Sequence, residues 1–296
     1  MDVFEEAVER SVAGRGVVLL IGGLDSGKTT LARRIARAGV EAGLTVGVVD
    51  ADVGQSTVGP PTTVGLRLCR VPADIEPELL AKADALEFVG STSPQGHLVP
   101  LLVGARRLLE RAKQEGTDMV VVDTTGLVSG VYGQVLKYYK VQLLEPDLIV
   151  GLQRGRELEP AFGIARRFFA AEILSLAVHP DVVPTSVEQR ALNREQSLRR
   201  YFSEPLQRWR VKPTVFMPAL PDLFDVKLLD QIIVGLSDGK SRCIGVGYLE
   251  YLMNEGALRL ISPAPEAPKA LILGSVQLDE GFRARRVDLR NLFGSD

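Results

Sequence analysis

Apolar residues recur along the 296-residue chain with two alternating periods. The runs Val17–Ile21, Leu44–Val49, Leu86–Gly90, Met119–Val122 and Leu148–Leu152 have the length and β-branched content of buried strands. Between several of them, apolar positions fall three and four residues apart, as in Leu31, Ile35 and Ala38, and again over Leu98–Lys113, Val131–Leu144 and Leu158–Phe169. Strand and helix patterns in alternation predict an α/β fold, a doubly wound and mainly parallel sheet. One more strand is expected over Leu174–Val178.

The ends of the chain read differently. Residues 1–15 predict a short helix with Val3, Phe4, Ala7 and Val8 on one face. After Pro60-Pro61-Thr62-Thr63, the weak alternation of Val64–Val71 predicts an edge strand or a loop-borne hairpin. Pro180 and Pro184 break the chain before a helix over Ser186–Phe202. From residue 236, glycines punctuate short segments such as Cys243–Leu249, Leu258–Ile261 and Ala270–Val276. The expected organisation is an N-terminal helix (1–15), an α/β body (16–235) with a helical segment near 180–205, and a small β-rich C-terminal domain (236–296).

Where the first strand meets the first helix of the body stands Gly22-Gly23-Leu24-Asp25-Ser26-Gly27-Lys28-Thr29-Thr30, which contains G-x-x-x-x-G-K-[ST]. Backbone N–H groups at a helix N-terminus present partial positive charge to phosphate oxygens, and the glycines open the loop to them. In this context the motif predicts nucleoside triphosphate binding, with Lys28 on the terminal phosphates and Thr29 on Mg2+. The strand 118–123 ends in Asp123, placed as the acid of a magnesium shell, and Thr124-Thr125-Gly126 follows beside the γ-phosphate. The second strand runs into Asp50-Ala51-Asp52-Val53-Gly54-Gln55. Carboxylates at i and i+2 on an extended segment share a side, which at the carboxyl end of a parallel strand faces the ligand crevice. A plainer reading makes Asp50 a turn residue. In the 186–202 helix, Arg190 and Arg194 lie one turn apart; spacing alone favours a solvated face over a lid. His97 reads as a helix-start residue and Trp209 as a packing residue.

Composition narrows the partners. A net charge of −2 argues against wholesale coating of nucleic acid, so a polyanion would meet a local basic patch. Cys69 and Cys243 have neither metal-ligand nor disulfide spacing and fit a reducing compartment. The acidic N-terminus is not a targeting segment, and no apolar run approaches the roughly 18 residues that span a bilayer. The expected location is the cytoplasm, with no membrane association.

Taken together, Gly22–Thr30, the D-x-D-x-G-Q element Asp50–Gln55, Phe88–Pro94, Asp123–Gly130 and the helix ending in Tyr201-Phe202 resemble the polynucleotide 5′-hydroxyl kinases related to the RNA kinase of the pre-mRNA cleavage complex and the ribosomal-RNA processing kinases. The resemblance covers about residues 16–250. It implies transfer of the ATP γ-phosphate to a 5′-hydroxyl end of RNA or DNA, with Lys28 and Thr29 on phosphates and magnesium. Asp52 would deprotonate the 5′-hydroxyl beside the metal, while Asp50, Gln55, Thr124, Thr125 and Gly126 would face the substrate. Arg190, Arg194 and Arg199 would form a lid over the transferring group, which reverses the solvated reading of that helix. The chain departs from the family in having no N-terminal β-domain and in placing Leu127 where a tryptophan often follows T-x-G. Two other functions remain open: a nucleotide-dependent GTPase or ATPase switch, although no N-K-x-D segment is present, and a kinase of a small nucleoside-like alcohol.

Overall fold

The computed structural model describes residues 4–221 and 223–293; Val3 of the expected first helix lies outside them. In chain order the body comprises α1 (Glu5–Gly14), β1 (Gly16–Gly22), α2 (Lys28–Glu41), β2 (Val46–Ala51), β3 (Thr63–Cys69), α3 (Pro77–Leu80), β4 (Ala85–Phe88), α4 (Leu98–Gln114), β5 (Met119–Thr124), α5 (Gly130–Leu144), β6 (Leu148–Gln153), α6 (Glu159–Phe168), β7 (Glu172–Ala177) and α7 (Val187–Tyr201). There follow β8 (Gln207–Val211), β9 (Phe216–Met217), β10 (Ile232–Ser237), β11 (Cys243–Leu252), β12 (Ala257–Ser262), β13 (Ala270–Leu278), β14 (Ala284–Arg286) and α8 (Leu289–Phe293).

Five strands form the parallel core in the order β2-β5-β1-β6-β7. β1 lies at its centre and is buried along almost its whole length, which is why its sequence is continuously apolar rather than alternating. One face of the sheet is covered by α1 and α2 through Phe4, Ala7, Leu31 and Ile35, and the other by α4, α5 and α6 through Leu101, Leu108, Leu136 and Phe162. Helices on both faces leave the carboxyl ends of β1, β2 and β5 at one rim, where ligands of such sheets bind.

Two expectations are corrected. The segment 64–71 is not an edge: β3 pairs antiparallel with both β2 and β4 and is almost wholly buried, which masks the alternation of a half-exposed strand. The β-rich part also starts before residue 236. A boundary at 235/236 would cut β10, and β8 and β9 already pair with β12 and β13. The Gln-Arg-Trp-Arg-Val segment of β8 is short and largely polar, so its alternation is faint. Trp209 packs against the core of this β-rich part. The two parts share one hydrogen-bonded sheet through the pairing of Cys243 with Leu86.

Candidate active site at the carboxyl ends of the parallel strands

The loop between β1 and α2 turns on Gly27, whose φ of +90° disfavours any L side chain; α2 begins immediately after it with no side-chain cap on its first N–H groups. An uncapped 14-residue helix start behind a glycine turn suits phosphate oxygens. Lys28 is buried, and its ammonium folds back onto the loop, donating to Gly23 O at 2.6 Å and to Ser26 Oγ at 3.3 Å. Burial lowers its pKa, against the pull of Asp123, Asp52 and Asp25. Ser26 Oγ in turn donates to Gly23 O at 3.1 Å. Leu24 is exposed at the loop tip, where the Leu24 and Asp25 carbonyls accept from Arg154. Thr30 is exposed on the outer side of α2, so only its backbone belongs to the loop.

Thr29 Oγ1 donates to Asp123 Oδ2 at 2.5 Å across the rim between α2 and β5. A hydroxyl and a carboxylate converging in this way are the hard oxygen donors that Mg2+ accepts while keeping waters and phosphate oxygens in its remaining positions. Among the described residues no group of three or more histidine, cysteine or acidic side chains could hold a metal ion. Burial is the main cause that raises the Asp123 pKa, with Lys28 and the Thr29 hydrogen bond opposing it.

The acids after β2 separate in role. Asp50 is 1% exposed and is consumed by its own loop: its carboxylate accepts from Asp52 N at 2.9 Å, Thr57 N at 2.5 Å, Thr57 Oγ1 at 2.9 Å and Val58 N at 3.2 Å. The expected substrate contact is therefore corrected to the turn reading. Asp52 is half-buried, and its Oδ1 takes Gly54 N at 3.1 Å and Gln55 N at 3.2 Å. Gln55 Nε2 donates to Gly54 O and, at 3.1 Å, to Arg190 O, so it ties α7 to this loop.

The Thr124-Thr125-Gly126 turn is built into the frame. Thr124 is fully buried, its hydroxyl donating to Leu20 O at 2.8 Å, so it cannot touch a substrate as expected. Thr125 and Gly126 stay at the rim, and a Cβ on Gly126 would stand 2.7 Å from Leu24 N, so only glycine lets this turn meet the phosphate loop. Leu127 packs inward on the core. Beneath the turn, Lys137 Nζ donates to Thr124 Oγ1 and to Thr125 O, both at 2.9 Å. Lys137 and Lys140 escaped the sequence reading. The signal was present: they interrupt the buried stripe Gly133, Leu136, Val141, Leu144 of α5, where lysine has no ordinary reason to be.

Of the lid arginines, Arg190 Nη2 lies 2.5 Å from Asp25 Oδ2 and Arg194 is partly buried within the field of Asp52. Arg199 turns the other way, donating to Glu195 at 3.1 Å and to Gly281 O at 2.9 Å on the β-rich part; its expected place over the phosphates is corrected. A groove of about 270 Å³ runs from Thr29 between Arg33, Thr57 and the Asn193 and Arg200 face of α7. A larger hollow of about 690 Å³ lies between α4, β4 and β11, away from these groups. His97 starts α4, with Nε2 3.1 Å from Ser275 Oγ, and has a structural place.

A strand, a phosphate loop opening a helix, and a buried acid closing the adjacent parallel strand define a P-loop nucleotide-binding protein. Residues 22–204 match the model of the mRNA cleavage and polyadenylation factor CLP1 P-loop family, and the chain belongs to that family. A polyribonucleotide 5′-hydroxyl-kinase of Thermococcus kodakarensis is 29% identical, over 83% of each chain. Another from Methanocaldococcus jannaschii is 28% identical, over 89% of this chain and 87% of its own. Clp1p, solved in complex with a segment of Pcf11p, superposes with a TM-score of 0.68 at 13% identity, over 92% of this chain and 77% of the solved one, and so shares the fold. Among the described residues no helix is long and apolar enough to cross a membrane.

Proposed function

We propose that the protein is an ATP-dependent polynucleotide 5′-hydroxyl kinase acting on RNA ends and, with less support from its relatives, on DNA. The observation that carries this reading is the convergence of Lys28, the Thr29–Asp123 pair and Asp52 under an arginine-bearing helix. Lys28 leaves Gly23 O to hold the β- and γ-phosphates, and the loop's N–H groups hold the rest of the triphosphate. Thr29 and Asp123, with Asp52 beside them, would hold Mg2+, which would neutralise charge on the phosphates. The acceptor end enters by the groove beside Thr29 and Arg33, and Asp52 takes the proton of its 5′-hydroxyl as that oxygen attacks. Arg194, with Arg190 once released from Asp25, faces the charge that spreads over the transferring group. A cytoplasmic setting accords with two unpaired cysteines.

Incubation with γ-labelled ATP, magnesium and 5′-hydroxyl RNA and DNA oligonucleotides tests this, with free nucleosides as competitors and Lys28→Ala as control. Label on oligonucleotide ends, lost with Lys28→Ala by about 10²-fold or more, is expected. Label on nucleosides alone would make it a small-molecule kinase, and phosphate release without an acceptor would make it a switch.

A further inference from the structure

Lys140 is 0% exposed, one of the largest fully buried side chains, and its ammonium has no hydrogen-bond partner among the described residues. A buried cation without a partner costs several kcal/mol in general, so folds seldom keep one that does nothing. Its surroundings identify the groups it serves. It lies one turn beyond Lys137 on the same buried face of α5, and Lys137 is already hydrogen-bonded under Thr124 and Thr125, the residues that follow Asp123. Burial pushes its pKa down to about 8, and the charges that hold it up are, in order, Asp52, Asp123 and Asp50. At that value the group stays mostly ammonium at pH 7.

Charge balance at the rim gives the lysine a task. Asp50, Asp52 and Asp123 face the buried lysines Lys28, Lys137 and Lys140; burial pushes the Asp50 carboxyl up to about 7 and holds the Lys137 pKa well below the usual lysine range. Lys28 donates to Gly23 O and Ser26 Oγ of the phosphate loop itself, which places its ammonium where a phosphate of the nucleotide would sit. Lys137 is fixed to the turn. Asp52 has one oxygen occupied by Gly54 and Gln55 N–H groups, with no donor among the described residues on the other.

Resting on the kinase reading above, we propose that Lys140 is a positioning residue of phosphoryl transfer: a fixed positive charge beneath the site that holds Asp52 and Asp123 in place once Lys28 turns to the triphosphate. It acts through those carboxylates and touches no substrate. Because no hydrogen bond among the described residues occupies its ammonium, its charge acts on the carboxylates through the field alone.

The test is Lys140→Met, which keeps length and burial but removes the charge. Three readouts are made on the full chain: thermal melting, magnesium half-saturation of ATP binding, and kcat with a 5′-hydroxyl oligonucleotide. A lysine serving only the fold would lower melting when replaced, or change nothing. The proposal expects melting no lower than wild type, since an apolar group replaces an unsatisfied one. Magnesium half-saturation should fall about three- to tenfold, because a like charge leaves the metal site. The kcat should drop by about tenfold or more, with little change in KM for ATP. A folded variant whose kcat and magnesium half-saturation both stay within twofold of wild type overturns the proposal. Should Lys140→Met not fold, Lys140→Gln is read by the same criteria. Where wild type labels no 5′-hydroxyl end, the kinase reading fails by itself, and the magnesium half-saturation alone decides the role of Lys140.

Discussion

Arg190 of the lid helix is bound to Asp25 of the phosphate loop, Nη2 to Oδ2 at 2.5 Å, and Thr185 N donates to the same oxygen at 2.9 Å. Burial works against the Asp25 carboxylate, yet the Thr185 and Arg190 hydrogen bonds hold its pKa below the usual range. With Gln55 Nε2 donating to Arg190 O, α7 rests on both loops. Asp25 sits at φ +49°, which asparagine also tolerates. Asp25→Asn should therefore keep the turn, release Arg190 and remove a negative charge beside the phosphates. ATP affinity should rise by several-fold in a fluorescent-nucleotide titration; an unchanged or weaker affinity would show that the latch does not oppose binding.

Asp50 and Asp52 should part company under the same substitution. Asparagine at 50 offers an amide to four N–H or O–H donors and leaves some of them unmet, at a cost of about 1–3 kcal/mol. Asp50→Asn should melt lower. Asp52→Asn should melt like wild type and lose at least about 10²-fold in kcat with ATP affinity kept, as removal of a general base does. Thermal unfolding beside steady-state kinetics separates them; matching profiles for the two variants would mean that the division of roles is wrong.

The arginines of α7 should divide as well. Arg194→Ala should reduce kcat by about 10²-fold or more with a smaller change in ATP affinity, and Arg194→Lys should restore only part, since an ammonium lacks the planar fork. Arg199→Ala, which loses contacts to Glu195 and Gly281 O alone, should stay within twofold in kcat. Normal turnover in Arg190→Ala and Arg194→Ala alike would return the helix to a solvated face.

Glu87 supplies a pH test remote from the chemistry. Burial raises its pKa from 4.5 to about 7, with Arg107 pulling the other way. A carboxyl raised in the fold ionises more readily in the unfolded chain, so Glu87 opposes folding progressively as pH climbs from 4.5 to 7. Glu87→Gln should raise Tm by about 2–4 °C at pH 8 and lose that advantage near pH 4.5. A gain that persists at low pH would exclude ionisation as its source.

The parts readable from sequence are those in which local pattern and tertiary role agree. Val17–Thr30 carries strand period, glycine turn and helix start in one stretch, and the structure places them so. The misreadings came where tertiary context decides. Asp50 and Thr124 carry groups that suit a substrate, but burial turns both inward to backbone partners that no local spacing reveals. Arg199 lies in the last turn of the same arginine-bearing helix, yet the β-rich part, non-local in sequence, claims it. Lys137 and Lys140 lie on the apolar helical stripe of Gly133, Leu136, Val141 and Leu144, whose period alone marks a core face and does not separate buried cations from packing residues.

The pairing of Cys243 with Leu86 also has a bearing on solubility. An unpaired strand edge invites another chain to add to it. β4 would be such an edge if β11 did not arrive, and Phe88, now packed beneath Ile233 and Val246, would lie bare at its end. Ser275 N reaching Gly90 O at 2.7 Å secures the same border. The β-rich part therefore covers the edge that β4 would otherwise present. A chain trimmed to residues 1–206, ahead of β8, would be expected to associate through the bared edge of β4.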